Sequence, residues 1–315
     1  MTRDRLKTSE RGAAQVMSAM GFAVLALSSS SLFITELERA SIPALAIAFY
    51  RMAIATAILL PAALIFRRRE ILSLARKDLL LLLLGGLSLA VHFAAWITSL
   101  KYIPIATSVV LVNSHPIFVA IASYFFLGER APRTGIVGIV VGLSGMAVMS
   151  KDAFENLQLA LTGDGLALLG ALAVVGYFIV GRNARSRISL LGYVTPLYAV
   201  CSVLLLGLVV ISGDALGPYS ASTWGYLTAL AIIPTIIGHS VFNWALKHVR
   251  PTVISLAFLG EPLAASLLAL IFFAQRPRPT ILIGGSLVLI GIYLTNLKPV
   301  SNRQQVIVTN EGSGS

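Results

Sequence analysis

Two stretches of the chain decide its fold: VNSHPIFVA at residues 112–120 and FLGEPLAAS at residues 258–266. Each places a polar, titratable side chain directly before a proline, His115 before Pro116 and Glu261 before Pro262. Both lie in long apolar runs, where proline interrupts helical hydrogen bonding and a buried polar group is costly. Because the same unfavourable pair occurs twice, 146 residues apart, we predict a structural repeat.

The composition of the chain is strongly apolar. Of the 315 residues, 57% are hydrophobic and 12% are charged, and the mean hydropathy is +0.87. Soluble domains carry about 25% charged residues, so most of this chain is expected to lie in a lipid bilayer. The net charge of +11 does not indicate nucleic acid, because Lys and Arg form short clusters between apolar runs. The single cysteine, Cys201, excludes an internal disulfide and a cysteine metal site.

The apolar runs predict ten membrane-spanning helices. Each run is about 18–25 residues long, and none alternates as the strands of a membrane β-barrel do. Backbone in lipid must satisfy its own hydrogen bonds, which a helix does within one segment. The predicted fold class is therefore all-α integral membrane. The predicted spans cover residues 12–35, 43–66, 79–100, 104–127, 132–149, 163–181, 189–212, 222–246, 251–274 and 279–297.

The distribution of Lys and Arg predicts the orientation of these spans. With a cytoplasmic N-terminus, 18 of these residues fall in cytoplasmic segments and 5 in segments on the other side. Arg51 is the remaining one and lies inside a predicted helix. Since positive residues concentrate in cytoplasmic loops, both termini are predicted to be cytoplasmic.

The repeat extends beyond the two motifs. When residues 100–145 are aligned with residues 246–291 without a gap, nine positions are identical. The chain then divides into five-helix halves, 1–150 and 151–299, followed by a tail, 300–315, whose final EGSGS resembles a vector-derived linker. Because five is odd, the second half enters the membrane in the opposite sense. Such inverted repeats are typical of secondary transporters, whose binding site lies between the halves, near the middle of the membrane.

The chain resembles the drug/metabolite transporter superfamily, in its EamA-type branch of ten-helix exporters. The resemblance rests on FYRMAIA around Arg51, FLGERAP at 126–132, FLGEP at 258–262 and glycine-rich fifth and tenth spans. Within that branch it is most similar to aromatic amino-acid exporters of the YddG type. One departure is FAQRPRP at 273–279, which lacks the Gly-Glu pair of the first half and argues against a symmetric role for Glu129.

The resemblance implies a secondary exporter in the bacterial inner membrane. Its substrates would be hydrophobic or aromatic amino acids and related metabolites, moved by alternating access. A broader drug carrier or a sugar-phosphate carrier of the same fold is the alternative. The expected partners are a small-molecule substrate and the lipid bilayer, in a monomer or a loose oligomer.

Polar and aromatic side chains within the predicted spans are the candidates for a substrate cavity, because buried polar groups in membrane helices are usually functional. Arg51 either extends outward along its helix or faces the cavity. The polar candidates are otherwise equally consistent with contacts between helices. The full set is Tyr50, Arg51, His92, Trp96, Asn113, His115, Tyr177, Phe178, His239, Asn243, Trp244 and Glu261. The predicted hinges are Pro116, Pro262, Pro196 and Pro234.

Other patterns do not indicate catalysis or a cofactor. GLSG at 142–145 matches the surroundings of an intramembrane protease serine, but Gly135, Gly138, Gly142 and Gly145 share one helix face, as in close helix packing. The four histidines lack metal-ligand spacing, and no nucleotide-binding motif is present. No enzyme activity, metal or cofactor is therefore expected. Glu129 and Arg130 are predicted to anchor the end of the fourth span, or to form a gating salt bridge.

Overall fold

The computed structural model describes residues 3–103, 105–129, 132–149, 160–273 and 279–296, and every regular element in them is helical. The predicted boundary at 150/151, the 300–315 tail, and Arg130 lie outside the described residues. The α-helices are α1 (Arg3–Arg39), α2 (Ala44–Phe66), α3 (Arg68–Leu72), α4 (Arg76–Ser99), α5 (Ile105–Val112), α6 (His115–Leu127), α7 (Arg133–Met149), α8 (Ala160–Arg185), α9 (Leu190–Ser212), α10 (Ala221–Leu230), α11 (Ser240–Ala245), α12 (Pro251–Ala257), α13 (Glu261–Phe273) and α14 (Pro279–Asn296).

Seven helical segments among the described residues are long and apolar enough to cross a membrane. Three further apolar helices are shorter and cover His115–Leu127, Arg133–Val148 and Leu282–Leu294. Large apolar side chains cover much of the outside, as expected of a lipid-facing surface. The chain is therefore a multi-pass helical membrane protein.

Three of the predicted spans are not single α-helices. The run at 104–127 divides into α5 and α6, and the run at 251–274 divides into α12 and α13 around a 3₁₀ segment, Phe258–Gly260. The run at 222–246 contains a π-helix, Ala231–His239, between α10 and α11. Apolar length alone cannot reveal such interruptions.

Both motifs that opened the sequence analysis lie at helix breaks. After α5 the chain turns through Asn113 and Ser114, where Ser114 N–H donates to the Leu111 carbonyl at 3.1 Å. Pro116 lies in the first turn of α6, where its missing N–H costs no helical hydrogen bond. Pro262 occupies the matching place in α13. The helices are therefore interrupted directly before both prolines, and the role of Pro116 and Pro262 as hinges stays a prediction.

The other two predicted hinges behave differently. Pro196 lies inside α9, which runs without a break from Leu190 to Ser212. Pro234 lies inside the π-helix. Wide helical turns of this kind are frequent at functional sites.

Helices pack in pairs through the bundle. The pairs are α7 with α14, α4 with α8, α2 with α9 and α6 with α12, and α1 packs against the π-helix and α13. The largest hydrophobic core lies among the first, second, fourth, eighth and ninth helices and the segments around the π-helix.

The pair α7 and α14 is in backbone contact. A Cβ added at Gly145 would lie 2.5 Å from the Gly284 carbonyl oxygen, and one at Gly291 would lie 2.6 Å from the Gly138 carbonyl oxygen. Backbone atoms cannot move aside as a flexible side chain can. The close packing predicted from the glycine spacing is therefore confirmed.

Polar contacts join helices near one end of the bundle. Arg187 pairs with Asp78 at 2.7 Å, and Arg182 pairs with Glu129 at 3.1 Å. The carboxylate of Glu70 accepts hydrogen bonds from the backbone N–H and hydroxyl of Ser189, the residue that caps α9. In each contact the acidic residue precedes position 150 and its partner follows position 160.

We predict that Gly145→Ala and Gly291→Ala each destabilise the detergent-solubilised protein by about 1–3 kcal/mol, because a methyl group overpacks a backbone contact. The control is Gly207→Ala in α9, where an added Cβ meets nothing within 4 Å. Thermal unfolding followed by intrinsic fluorescence measures the difference. Equal midpoints for the two glycine variants and the control would contradict the contact.

Candidate functional site

A small cavity lies at the centre of the bundle, where the broken helices meet. Its volume is about 30 Å³. That space is enough for about one water molecule, whereas small-molecule sites usually measure about 300–1,000 Å³. Both halves of the chain line it, through Leu27, Ser30, Arg51, His92, Phe93, Trp96, Val112, Asn113, His115, Val174, His239, Phe258 and Glu261.

Among the described residues, Arg51 is the only Lys or Arg on the cavity wall, and its side chain is wholly buried. Its Nε donates to Thr235 Oγ1 at 2.7 Å, and its guanidinium carbon lies 4.3 Å from the centroid of the Phe93 ring. The nitrogens Nη1 and Nη2 have no hydrogen-bond partner in the described part of the chain. Arg51 therefore faces inward, and the hypothesis that it extends to the surface is wrong.

Thr235 holds Arg51 from the interrupted helix. Its hydroxyl donates to the Leu230 carbonyl at 3.0 Å, so its oxygen lone pairs remain available to accept from Arg51. The π-helix thereby connects α10 to the charged group in the cavity. The positions of Nη1 and Nη2 are fixed by the Thr235 hydrogen bond on one edge of the guanidinium and the Phe93 ring below it.

His92 is oriented by a neighbouring helix. Its Nδ1 lies 2.9 Å from the Gly170 carbonyl oxygen, which can only accept, so Nδ1 carries a proton. In the neutral ring, Nε2 is then the acceptor nitrogen. The ring lies nearly parallel to Trp96, with centroids 6.0 Å apart. As the i, i+4 spacing predicted, His92 and Trp96 lie on the same face and both line the cavity.

His115 and Glu261, the two residues before the prolines, both line this cavity. The ring of His115 lies edge-on between Phe178 and Phe258, with centroid distances of 5.7 and 5.5 Å. The Glu261 carboxylate interacts with the side chain of Asn113 and with the charge of Arg51. The helix breaks therefore bring a histidine, an amide and a carboxylate to one wall.

Several polar atoms of the cavity residues are buried without a partner in the described structure. They are Ser30 Oγ, Arg51 Nη1 and Nη2, Trp96 Nε1, His115 Nδ1 and His239 Nδ1. A buried polar group without a partner costs about 1–3 kcal/mol, so such groups are rare unless they serve a ligand or a bound water. Their convergence on one cavity is the main sign of a binding site.

Five of the predicted cavity residues do not line this cavity: Tyr50, Tyr177, Phe178, Asn243 and Trp244. Asn243 donates to the Tyr177 hydroxyl and to the His239 carbonyl, so its amide nitrogen is occupied within the protein. Phe178 backs the His115 ring without lining the cavity. The Trp244 ring packs against the His248 ring, tilted by 51° with the ring centroids 4.8 Å apart. Tyr50 donates to the Leu216 carbonyl at 2.6 Å and packs against Tyr219 and Trp224.

The sequence analysis missed six lining residues and the supporting residue Thr235; the lining residues are Leu27, Ser30, Phe93, Val112, Val174 and Phe258. The run of four serines at 28–31 is the signal that could have placed α1 at the site, because it is rare in an apolar span. Phe93 and Phe258 are ordinary apolar residues on predicted helices, and only the rotation of the helix places them at the cavity.

The remaining sequence patterns are accounted for by packing. The Ser144 hydroxyl donates to the Val140 carbonyl of its own helix, on the exposed side of α7. Ser144 does not line the cavity. Glu129 pairs with Arg182, whose Nη1 also donates to the Leu246 carbonyl at 2.7 Å. In the described ranges, no group of three or more His, Cys, Asp or Glu residues could hold a metal ion.

Comparison with known proteins identifies the class to which this fold and site belong. The model of the EamA-like transporter family matches residues 16–151 and again residues 161–297. The chain therefore belongs to the EamA-like transporter family, and it is a membrane transporter of small metabolites. A crystal structure with 19% sequence identity superposes with a TM-score of 0.77 over 90% of this chain and 97% of the other, which shows a shared fold.

Two relatives have functional names. The pseudopaline exporter CntI of Pseudomonas aeruginosa is 25% identical over 254 residues, which cover 80% of this chain and 85% of the relative. A probable terminal-alkyne amino-acid exporter of Streptantibioticus cattleyicolor is 26% identical over 209 residues, covering 65% of this chain and 68% of the relative.

We predict that Arg51→Met leaves the unfolding midpoint of the solubilised protein unchanged or raises it. The substitution removes two buried donors, Nη1 and Nη2, that have no hydrogen-bond partner among the described residues, and each such donor costs about 1–3 kcal/mol. The matched control is Arg185→Met, because Arg185 is a buried arginine that donates to the Asn243 and Ile188 carbonyls. The control should lower the midpoint. A larger loss for Arg51→Met than for Arg185→Met would make Arg51 a structural residue.

Proposed function

We propose that the protein is a secondary exporter that carries hydrophobic or aromatic amino acids and related metabolites across a bacterial inner membrane. Its ten spans would form two inverted five-helix repeats with both termini in the cytoplasm. The substrate would bind in the central cavity and leave by alternating access.

The helix pairing supports the inverted repeat. The repeat makes α1 equivalent to α8, and α4 equivalent to the segment that contains the π-helix. Exchanging the halves therefore turns the α4–α8 pair into the pair of the π-helix segment with α1, and both pairs are in contact. The pairs α2 with α9 and α7 with α14 each join an element to its own counterpart, as does α6 with the α12–α13 segment. A bundle with an approximate two-fold axis in the membrane has this property. The breaks at Pro116 and Pro262 also correspond.

One observation carries the substrate proposal: Arg51 presents two unpartnered guanidinium nitrogens to a cavity that also contains Glu261. Two parallel N–H donors suit a carboxylate, and a carboxylate such as Glu261 suits an ammonium group. A cavity with one fixed positive charge and one acid therefore matches a zwitterion. The name of the Streptantibioticus relative, an amino-acid exporter, agrees with this class.

The rest of the wall suits an apolar side chain. Trp96, Phe93 and Phe258 supply aromatic surface, and Val112 and Val174 supply aliphatic surface. A sugar phosphate would instead require several basic side chains around one dianionic group, whereas Arg51 is the only Lys or Arg that the described residues contribute to the lining. This composition favours an amino acid with an apolar side chain.

Transport requires the cavity to widen, because about 30 Å³ is far too small for an amino acid. We propose that α5 and α6, and α12 and α13, bend at their breaks, where few backbone hydrogen bonds oppose rotation. The Asp78–Arg187 and Glu129–Arg182 pairs join the two halves at the predicted cytoplasmic end. Opening toward the cytoplasm would separate them.

The experiment is uptake of radiolabelled phenylalanine or tryptophan into liposomes that contain the pure protein, with and without a pH gradient. Flux should saturate with concentration. Unlabelled phenylalanine should compete, whereas phenethylamine, which lacks the carboxylate, and phenylpropionate, which lacks the ammonium, should compete at least tenfold less well. Flux that rises linearly without competition would refute a carrier. Saturable flux of a sugar phosphate alone would refute the amino-acid class.

We predict that Arg51→Met and Glu261→Gln each lower phenylalanine transport about tenfold or more, because each removes one charge-assisted contact worth about 1.5–3 kcal/mol. His115→Ala and Trp96→Ala should also lower flux. Ser144→Ala is the control, since its hydroxyl binds its own helix and is exposed. Wild-type flux in all four cavity variants would remove this cavity from the transport path.

We predict that Pro116→Ala slows transport several-fold without reducing substrate binding. Alanine restores an N–H that can extend helical hydrogen bonding across the break, so bending becomes more costly. Initial rates in liposomes and equilibrium binding in detergent separate the two effects. Unchanged rates would mean that α6 does not bend at this proline.

A further inference from the structure

A second cavity lies at one end of the bundle and shares no lining residue with the central site. It is an open groove of about 670 Å³. Four membrane-spanning segments end or begin beside it, at Phe66, Arg185, Leu190 and Ala245. The groove therefore lies at the boundary between the apolar and polar layers, on the side where the positive residues concentrate.

The groove is strongly basic. Arg67, Arg185, Arg187, Lys247 and His248 line it, against the single acid Glu70. Both carboxylate oxygens of Glu70 already accept hydrogen bonds from Ser189, and Arg67 lies 3.9 Å from Glu70 in a loose, half-exposed pair. The acid is thus occupied, and positive charge in the groove exceeds negative charge.

The surroundings of His248 show the same excess of positive charge. Partial burial lowers the pKa of His248, and the neighbouring charges of Lys247, Arg185 and Arg182 lower it further. Three cations acting on one exposed imidazole indicate a local positive potential. An anion entering the groove would reduce that potential.

The surroundings suit a lipid better than a soluble anion. Ile65 and Phe66, at the end of α2, are 73% and 71% exposed directly beside Arg67. Trp244 lines the groove and packs against His248, and tryptophan is enriched at the level of lipid headgroups. An apolar surface for acyl chains therefore adjoins a basic surface for a headgroup.

We propose that this groove binds the phosphodiester headgroup of an anionic glycerophospholipid. The phosphate would lie between Arg67 on one wall and Lys247 with His248 on the other, while the glycerol and acyl chains follow Ile65 and Phe66. Arg187 contributes charge but stays paired with Asp78. Basic pockets between helices on the cytoplasmic side of membrane proteins bind such headgroups.

The test measures lipid binding to the full-length protein in neutral detergent, without transport substrate. The probes are short-chain phosphatidylglycerol, short-chain phosphatidylcholine, and inorganic phosphate at the same phosphate concentration. Phosphatidylglycerol should raise the unfolding midpoint saturably, with at least tenfold higher apparent affinity than either other probe. An equal shift of the midpoint with phosphatidylcholine would show that the groove does not recognise a negatively charged headgroup. An equal shift with inorganic phosphate would show that the groove binds a soluble anion.

Two variants locate the binding site. The double variant Arg67→Ala/Lys247→Ala should weaken phosphatidylglycerol binding at least tenfold, because each basic residue near an anionic headgroup adds electrostatic attraction to it. Arg69→Ala/Lys77→Ala removes the same charge from exposed residues outside the groove and should change binding less than twofold. An equal loss in both would show a diffuse charge effect and overturn the site. Because no substrate is used, this result is independent of the proposed transport activity.

Discussion

The guanidinium of Arg51 is a permanent charge held inside a bundle of apolar helices, and the other features of the central site are arranged around it. One nitrogen is fixed by Thr235 and one face by Phe93, while two nitrogens have no hydrogen-bond partner in the part of the chain that the structure describes. Leaving a buried charge incompletely paired costs stability, which packing elsewhere in the bundle must offset. The backbone contact between α7 and α14 provides rigid packing outside the site, and the long α4–α8 pair forms part of the cavity wall. A site that keeps an unpaired donor is ready for an anionic ligand.

Pro116 and Pro262 follow the two helix breaks at the central cavity. Each break places a polar side chain at the cavity, and in the proposed mechanism the helix bends there. In the proposed repeat, His115 and Glu261 occupy equivalent positions, yet one is a neutral or weakly basic group and the other an acid. A symmetric scaffold of this kind would carry asymmetric chemistry, as binding an asymmetric zwitterion requires. Each end contact likewise joins an acidic residue of the first half to a residue of the second half, so separating the halves breaks all of them together.

The sequence predicted much of this organisation and little of its detail. Apolar run length, proline position and the 146-residue shift were enough to predict an all-helical membrane protein with breaks before Pro116 and Pro262. They could not predict the π-helix, because its wide turn depends on how Thr235 and its neighbours bond inside the fold. They left the direction of Arg51 open, since helix rotation is set by packing. Asn243 was predicted to face the cavity, but its amide nitrogen donates to the Tyr177 hydroxyl and the His239 carbonyl, and helix rotation decides this too.

The central claim is that Arg51 binds the carboxylate of the substrate. Solid-state NMR of the protein in lipid bilayers tests it directly, with ¹³C at the phenylalanine carboxyl and ¹⁵N in the arginine guanidinium groups. A bidentate contact predicts a carbon–nitrogen distance of about 4 Å or less, with the dipolar coupling lost in Arg51→Met and retained in Arg185→Met. Bound phenylalanine whose coupling is absent from the wild type, or persists in Arg51→Met, would contradict the account.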